Sequence, residues 1–198
     1  MESISNPIMK KIVYDLIESK KDEFFIHPAA VTMHHNYLGG LAHHVYSMLK
    51  LAEVVINNYP SINYDLLISG ILIHDLGKLV EISNDKSPTY SKEGNLLGHI
   101  VIGMNMLNEV LNMNGYENTE EGLALMHLIA AHHGELEFGS PKEPLMIEAL
   151  ALHFIDLMDA KLAGCTEFVS KTKKGTYTSS IPSIGKKVFY VADIEEEN

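Results

Sequence analysis

The sequence predicts an all-α bundle that closes with a short irregular or extended C-terminal tail. Three observations predict it. Apolar residues recur at helical spacing along most of the 198 residues, convincing period-2 alternation is nearly absent, and capping and breaking residues punctuate the chain at helix-length intervals. With 46% hydrophobic and 21% charged residues, a chain of this length buries a sizeable core as one domain. That domain is expected over 1–198, with its core at about 7–163 and its tail at 164–198.

The elements follow in order. Pro7 to Ser19 forms a first amphipathic helix with Ile8, Ile12, Leu16 and Ile17 on one stripe. Lys21 to Gly40 contains His27-Pro28 and Gly39-Gly40 and reads as short turns and loop. A second helix runs from about Leu41 to Asn57 and ends at Asn58-Tyr59-Pro60. Asn63 caps a third, which continues to the break at Gly77. Glu81 to Gly94 reads as an exposed loop. A fourth helix covers roughly Leu96 to Met113. Thr119 opens a fifth, which stops at His133-Gly134, and a sixth runs from after Pro144 to about Ala163.

Charge and cysteine content exclude several function classes. A formal charge of −11 opposes binding of long nucleic acid, and no aromatic-rich basic surface for stacking single strands is evident. The single cysteine, Cys165, rules out an internal disulfide and a cysteine-based zinc finger. No apolar run approaches the ~20 residues of a membrane span, and the N-terminus lacks the pattern of a secretory signal, so a cytoplasmic protein without membrane association is expected. Neither Gly-x-x-x-x-Gly-Lys-Ser/Thr nor Gly-x-Gly-x-x-Gly occurs.

The eleven histidines carry the functional signal. On the second helix, His44 sits beside the stripe of Leu41, Val45, Met48, Ala52 and Val55. His43 shares its side with Ser47 and Lys50 and points to water. His74-Asp75 ends the most apolar helix, where an aspartate is costly unless it is paired or bound to a metal. His132-His133 ends another apolar helix, His99 follows Gly98, and Asp156 and Asp159 lie one turn apart on the sixth. Taken singly, each is ordinary. Together they present imidazoles and carboxylates from several helices, a familiar way to build a two-metal site in a bundle core.

The order His44, His74-Asp75, Asp156 resembles the H…HD…D signature of HD-domain metal-dependent phosphohydrolases. His99 and His132-His133 resemble the additional ligands of members that bind two metals. The run from His132 through Pro141, with Glu148-Ala149-Leu150 and His153-Phe154-Ile155-Asp156, is similar to the catalytic domain of YhaM-type 3′→5′ exoribonucleases. So are His27-Pro28-Ala29-Ala30 and His34-His35-Asn36. The likeness spans roughly Lys10 to Tyr190. That group usually carries an N-terminal OB-fold for single-stranded RNA, which is not expected here, and generally has Glu or another residue at the position of His43.

This resemblance implies an HD-domain helical bundle with metal ligands His44, His74, Asp75, His99, His132, His133 and Asp156. Asp75 would bridge two divalent ions, with Mn or Fe favoured and Zn, Co, Ni or Mg compatible. Such a pair polarises a phosphoryl oxygen and lowers the pKa of water. Asp75 is accordingly a catalytic residue; Lys78 is placed to stabilise phosphate charge, and His34 and His35 to contact phosphate or protonate the leaving oxygen. Asp159 either holds a ligand imidazole or is taken up by Lys161 or by a cap elsewhere. His27, His127 and His153 receive no role. Lys171, Lys173, Lys174, Lys186 and Lys187 make the tail basic enough to guide a short polyanion.

The expected activity is hydrolysis of a phosphoester in a nucleotide or short oligonucleotide, of 3′→5′ exonuclease type. A nucleotidase or cyclic-nucleotide phosphodiesterase is the alternative within the class. A metal or nucleotide sensor, or a di-iron oxygenase, is the alternative outside it. Long nucleic acid is not expected without a partner, and the sequence specifies no oligomeric state.

Overall fold

In the computed structural model, which describes residues 2–31, 37–85 and 87–194, the chain is built almost wholly of helices. The Asn6 side chain accepts from the amides of Ile8 and Met9 and opens α1 (Pro7–Glu18), which buries Ile12, Val13, Leu16 and Ile17. Part of the segment expected as loop is a short helix, α2 (Lys21–Phe24), anchored by buried Phe24. His34 and His35 lie outside the described residues.

Helix α3 (Gly40–Asn58) buries Leu41, His44, Val45, Met48 and Ala52, as the periodicity requires. Asn63 caps α4 (Tyr64–Ile73) by accepting from the Leu66 amide. Helix α4 is apolar around nearly its whole circumference because it is surrounded. It packs on α1 and α3, on α7 (Glu120–Ala131) and on α8 (Ile147–Ser170).

Three boundaries differ from the sequence reading. The third helix ends at Ile73, and His74 to Gly77 forms a tight turn into α5 (Lys78–Glu81). Gly77 is pressed against α6 (Lys92–Asn114): a Cβ there would lie 2.0 Å from the backbone oxygen of His99. The stretch Glu81 to Gly94 is not all exposed loop. Glu81 is buried in α5, and α6 begins at Lys92, capped by Ser91. Gly98 then breaks the helical path with φ 72 and ψ 158, so His99 does start the long regular portion of α6.

Finally, α8 continues past Ala163 and Gly164 to Ser170. In its polar end the Thr166 and Ser170 hydroxyls donate back to the carbonyls of Leu162 and Glu167 rather than to solvent. Beyond it the tail folds back as an antiparallel pair, β1 (Thr176–Tyr177) and β2 (Tyr190–Val191), with Ile181 fully buried. Among the described residues, no helix is long and apolar enough to cross a membrane.

Candidate metal centre

Five helical elements deliver the polar cluster. His44 comes from α3, His74-Asp75 from the end of α4, and His99 from the kink of α6. His132-His133 comes from the end of α7, and Asp156 and Asp159 from α8. Apart from the half-buried His133 and Asp156, these residues are buried, although their types are the most expensive to bury.

The outer nitrogens of the imidazoles fix the inner ones. His74 Nδ1 donates to the Ile71 carbonyl at 2.9 Å, His132 Nδ1 to that of Ile129 at 2.7 Å, and His133 Nδ1 to that of Phe138 at 2.7 Å. A carbonyl only accepts, so in each neutral ring Nδ1 carries the proton and Nε2 offers a lone pair. His99 is turned the same way by Glu81, whose carboxylate lies 3.2 Å from Nδ1 and also accepts from the His99 amide at 3.0 Å. Nε2 of His74, His99 and His132 is buried and has no hydrogen-bond partner among the described residues. Three buried lone pairs converging without a proton donor fit a metal site and have no structural purpose as packing.

Ligand-type atoms fall into two groups, His44 with His74 and Asp75, and His99 with His132 and His133. Within each group they lie within 4.8 Å of one another. Asp75 stands between them. Its Oδ2 is 3.3 Å from His74 Nε2 and 3.8 Å from His44 Nε2, whereas Oδ1 is 3.6 Å from His99 Nε2 and 3.8 Å from His132 Nε2. Asp156 Oδ1 approaches His44 Nε2 at 3.2 Å, and Asp159 accepts from His44 Nδ1 at 2.7 Å. Asp159 therefore orients an imidazole, the first of its sequence readings. Lys78 Nζ lies 2.7 Å from Asp75 Oδ2. His43 is exposed and meets the Tyr37 hydroxyl.

Two residues with no assigned role hold this geometry. Glu81 orients His99; an acid set among Leu79, Val80 and Ile82 was its signal in the sequence. His153 Nδ1 donates to the His132 carbonyl at 3.0 Å and fixes the turn that carries the paired histidines. Its ring so closely approaches Gly134, where φ is 80, that a Cβ there would lie 2.3 Å from it. Replacing Glu81 by Ala is expected to weaken binding of a metal ion held by His99 by about 10–100-fold, as loss of an orienting carboxylate typically does. Competition against a chelator reads this directly, and unchanged affinity would leave Glu81 a purely structural acid.

The electrostatics differ between the two groups. Burial would lower the pKa of His44, but its hydrogen bonds to the Asp156 and Asp159 carboxylates and the charges of Asp156 and Asp75 outweigh it and raise it to about 9. Burial, reinforced by neighbouring imidazoles, pushes His132 well below its ordinary value and lowers His133. Burial opposes ionisation of Asp75, yet Lys78 and the surrounding histidines hold its carboxyl well below the usual range. In the metal-free chain near neutral pH, His44 is thus an imidazolium, while His132 and His133 already present lone pairs.

A ligating His44 must lose its proton, so metal affinity on its side rises with pH and levels off above about 9. Titration calorimetry at pH 7 in two buffers of different ionisation enthalpy is expected to read about one proton released from this residue. Metal uptake without proton release would contradict the assignment of His44 as a ligand.

The family described as HD domain matches residues 41–161, more than half of the chain. Every member of the cluster from His44 to Asp159 lies inside that span. No solved structure matches.

Proposed function

This chain belongs to the HD-domain family, whose members are metal-dependent hydrolases, and on that premise we propose that it cleaves a phosphoester bond of a nucleotide or short oligonucleotide. Within that class we favour phosphodiester cleavage of 3′→5′ exonuclease type. The observation that carries the reading is the division of Asp75, one carboxylate oxygen towards each imidazole group. A single ion has no use for two such sets, whereas a phosphoryl group in transfer has negative charge to be met on both its attacked and departing sides.

When bound, a pair of divalent ions supplies Lewis acidity towards phosphoryl oxygens and a lowered pKa for water. The protein's part is to hold ligands and place charge. His44, His74 and Asp156 would serve one ion, His99, His132 and His133 the other, and Asp75 both. Lys78 stays protonated, since Asp75 outweighs the burial that would discharge it, and so adds a fixed cation for a phosphate. Exposed Leu97, Leu136 and Phe138 flank His99 and His133 in the chain, and apolar surface beside the ligands suits a base-bearing phosphoester. His34 and His35 remain the proposed contacts to phosphate or to the leaving oxygen.

A screen of the Mn- or Fe-loaded chain tests this reading with a dinucleotide, a nucleoside monophosphate, a cyclic nucleotide and short RNA. Release of a 5′-mononucleotide from the dinucleotide is expected. Inorganic phosphate as the sole product would make the chain a nucleotidase. An oxidised organic product, or no turnover with metal in place, would overturn hydrolysis altogether.

A further inference from the structure

At the far end of α8 a polar cleft of about 450 Å³ opens between the last helical turn and β1. Glu167, Lys171, Thr172, Lys173, Thr176 and Tyr177 contribute to its lining, giving two ammonium groups, one carboxylate and a phenol ring, while the Thr172 and Thr176 hydroxyls donate to the backbone carbonyls of Phe168 and Lys173. The segment 171–187 holds five of the chain's fifteen basic residues and no acidic one, in a protein of net charge −11. This local reversal of sign sits where the fold places an aromatic pair. Tyr177 and Tyr190 face each other across the β1–β2 register with ring centroids 5.2 Å apart, and they are 66% and 55% exposed. The basic aromatic surface not evident in the sequence is therefore present, assembled by the hairpin.

Helix geometry ties this cleft to the metal centre. Glu167, on the cleft wall, is eleven residues beyond Asp156, which returns it to within about 20° of the same side of α8. The distance along the axis is roughly 17 Å to Glu167 and 22 Å to Lys171. Between them, the residues of α8 nearest that side are Ala160 and Ala163, both small, with Asp159 beside them turned to His44. Glu167 pairs with Lys171 at 2.5 Å, but both side chains are more than two-thirds exposed. Such a pair contributes little and yields readily to a phosphate.

Cations for the backbone and an open aromatic face for a base are the chemistry of single-stranded nucleic-acid binding. A mononucleotide at the metal centre cannot extend across about 20 Å, but an oligonucleotide of several residues can. We propose that this cleft is a second subsite, which binds a nucleotide several residues away from the scissile phosphoester of a single-stranded oligonucleotide. Lys171 and Lys173 take its phosphates and Tyr177 stacks on its base. The proposal rests on the phosphoester reading above and extends it to substrate length.

The test uses the full metal-loaded chain, a dinucleotide and an eight-residue single-stranded RNA with the same 3′ end. The double variant Lys171→Ala/Lys173→Ala is expected to raise KM for the longer RNA about tenfold and to flatten its salt dependence. The kcat for that RNA should stay constant, as should kcat/KM for the dinucleotide, which does not reach the cleft. Tyr177→Ala should act similarly, and Tyr177→Phe, which keeps the stacking face, should restore affinity. Equal losses on both substrates, or none on the longer one, would overturn the subsite. Fluorescence anisotropy with labelled RNA separates the two claims. If the RNA binds and depends on Lys171 and Tyr177 without being hydrolysed, the subsite stands and the phosphoester reading fails. If the dinucleotide is hydrolysed while the variants bind RNA as the parent does, the reading stands and the subsite fails.

Discussion

Asp75→Asn is expected to remove essentially all turnover, a loss of at least about a thousandfold in kcat, or roughly 4 kcal/mol in the barrier. Both imidazole groups share this one carboxylate, so losing its charge weakens both proposed ion sites at once and leaves no residue to couple them. Asparagine is the informative replacement. Lys78 is largely buried with its Nζ 2.7 Å from Asp75, and alanine would leave that cation without its partner, a loss that destabilises by about 3–5 kcal/mol. The amide keeps an acceptor in place, so helical content by circular dichroism should stay near that of the parent. His43→Ala, on the exposed side of α3, should cost far less, within about fivefold. Equal losses in the two variants would mean that the members of the His43-His44 pair had been assigned the wrong way round.

Metal removal is expected to abolish activity and to lower thermal stability together. The metal-free centre holds three buried Nε2 atoms with no hydrogen-bond partner among the described residues and an excess of carboxylates around His44. Ions that bind only the folded chain relieve this. At about 100 times its Kd, one ion adds roughly 2.7 kcal/mol, which for a domain of this size raises Tm by about 5–11 °C. Elemental analysis should give two ions per chain, with Mn or Fe retained in preference to Mg, because five of the seven proposed ligands are imidazoles. A single four-coordinate ion after metal soaking, with His99, His132 and His133 all unbound, would refute the two-ion reading. Unchanged Tm after chelation would refute the coupling of the centre to folding.

Much of this was legible in the sequence because helical periodicity is local. Within one turn it separates His44, which faces the core, from His43, which faces water, and it marks His74-Asp75 and His132-His133 as polar residues ending apolar helices. The same local signals place the caps at Asn63 and Thr119 and set the order of elements. They misplace the start of α6, where Ser91 caps the helix, and the end of α8, where polar composition reads as loop but Thr166 and Ser170 turn their hydroxyls onto the helix's own carbonyls.

Other features depend on pairings that no local rule encodes. Asp159 meets His44 across 115 residues, His153 meets His132 across 21, and Glu81 meets His99 across 18. Which oxygen of Asp75 faces which imidazoles follows from the packing of α3, α6 and α7 around the end of α4. Tyr177 and Tyr190 become one surface only because β1 and β2 pair. The sequence alone determined which side chains are polar, inward-facing and capable of ligation, since those properties belong to single helices. The tertiary structure decided how they divide into two groups and what orients His44 and His99, because Asp159 and Glu81, 115 and 18 residues away, reach those rings only through helix packing.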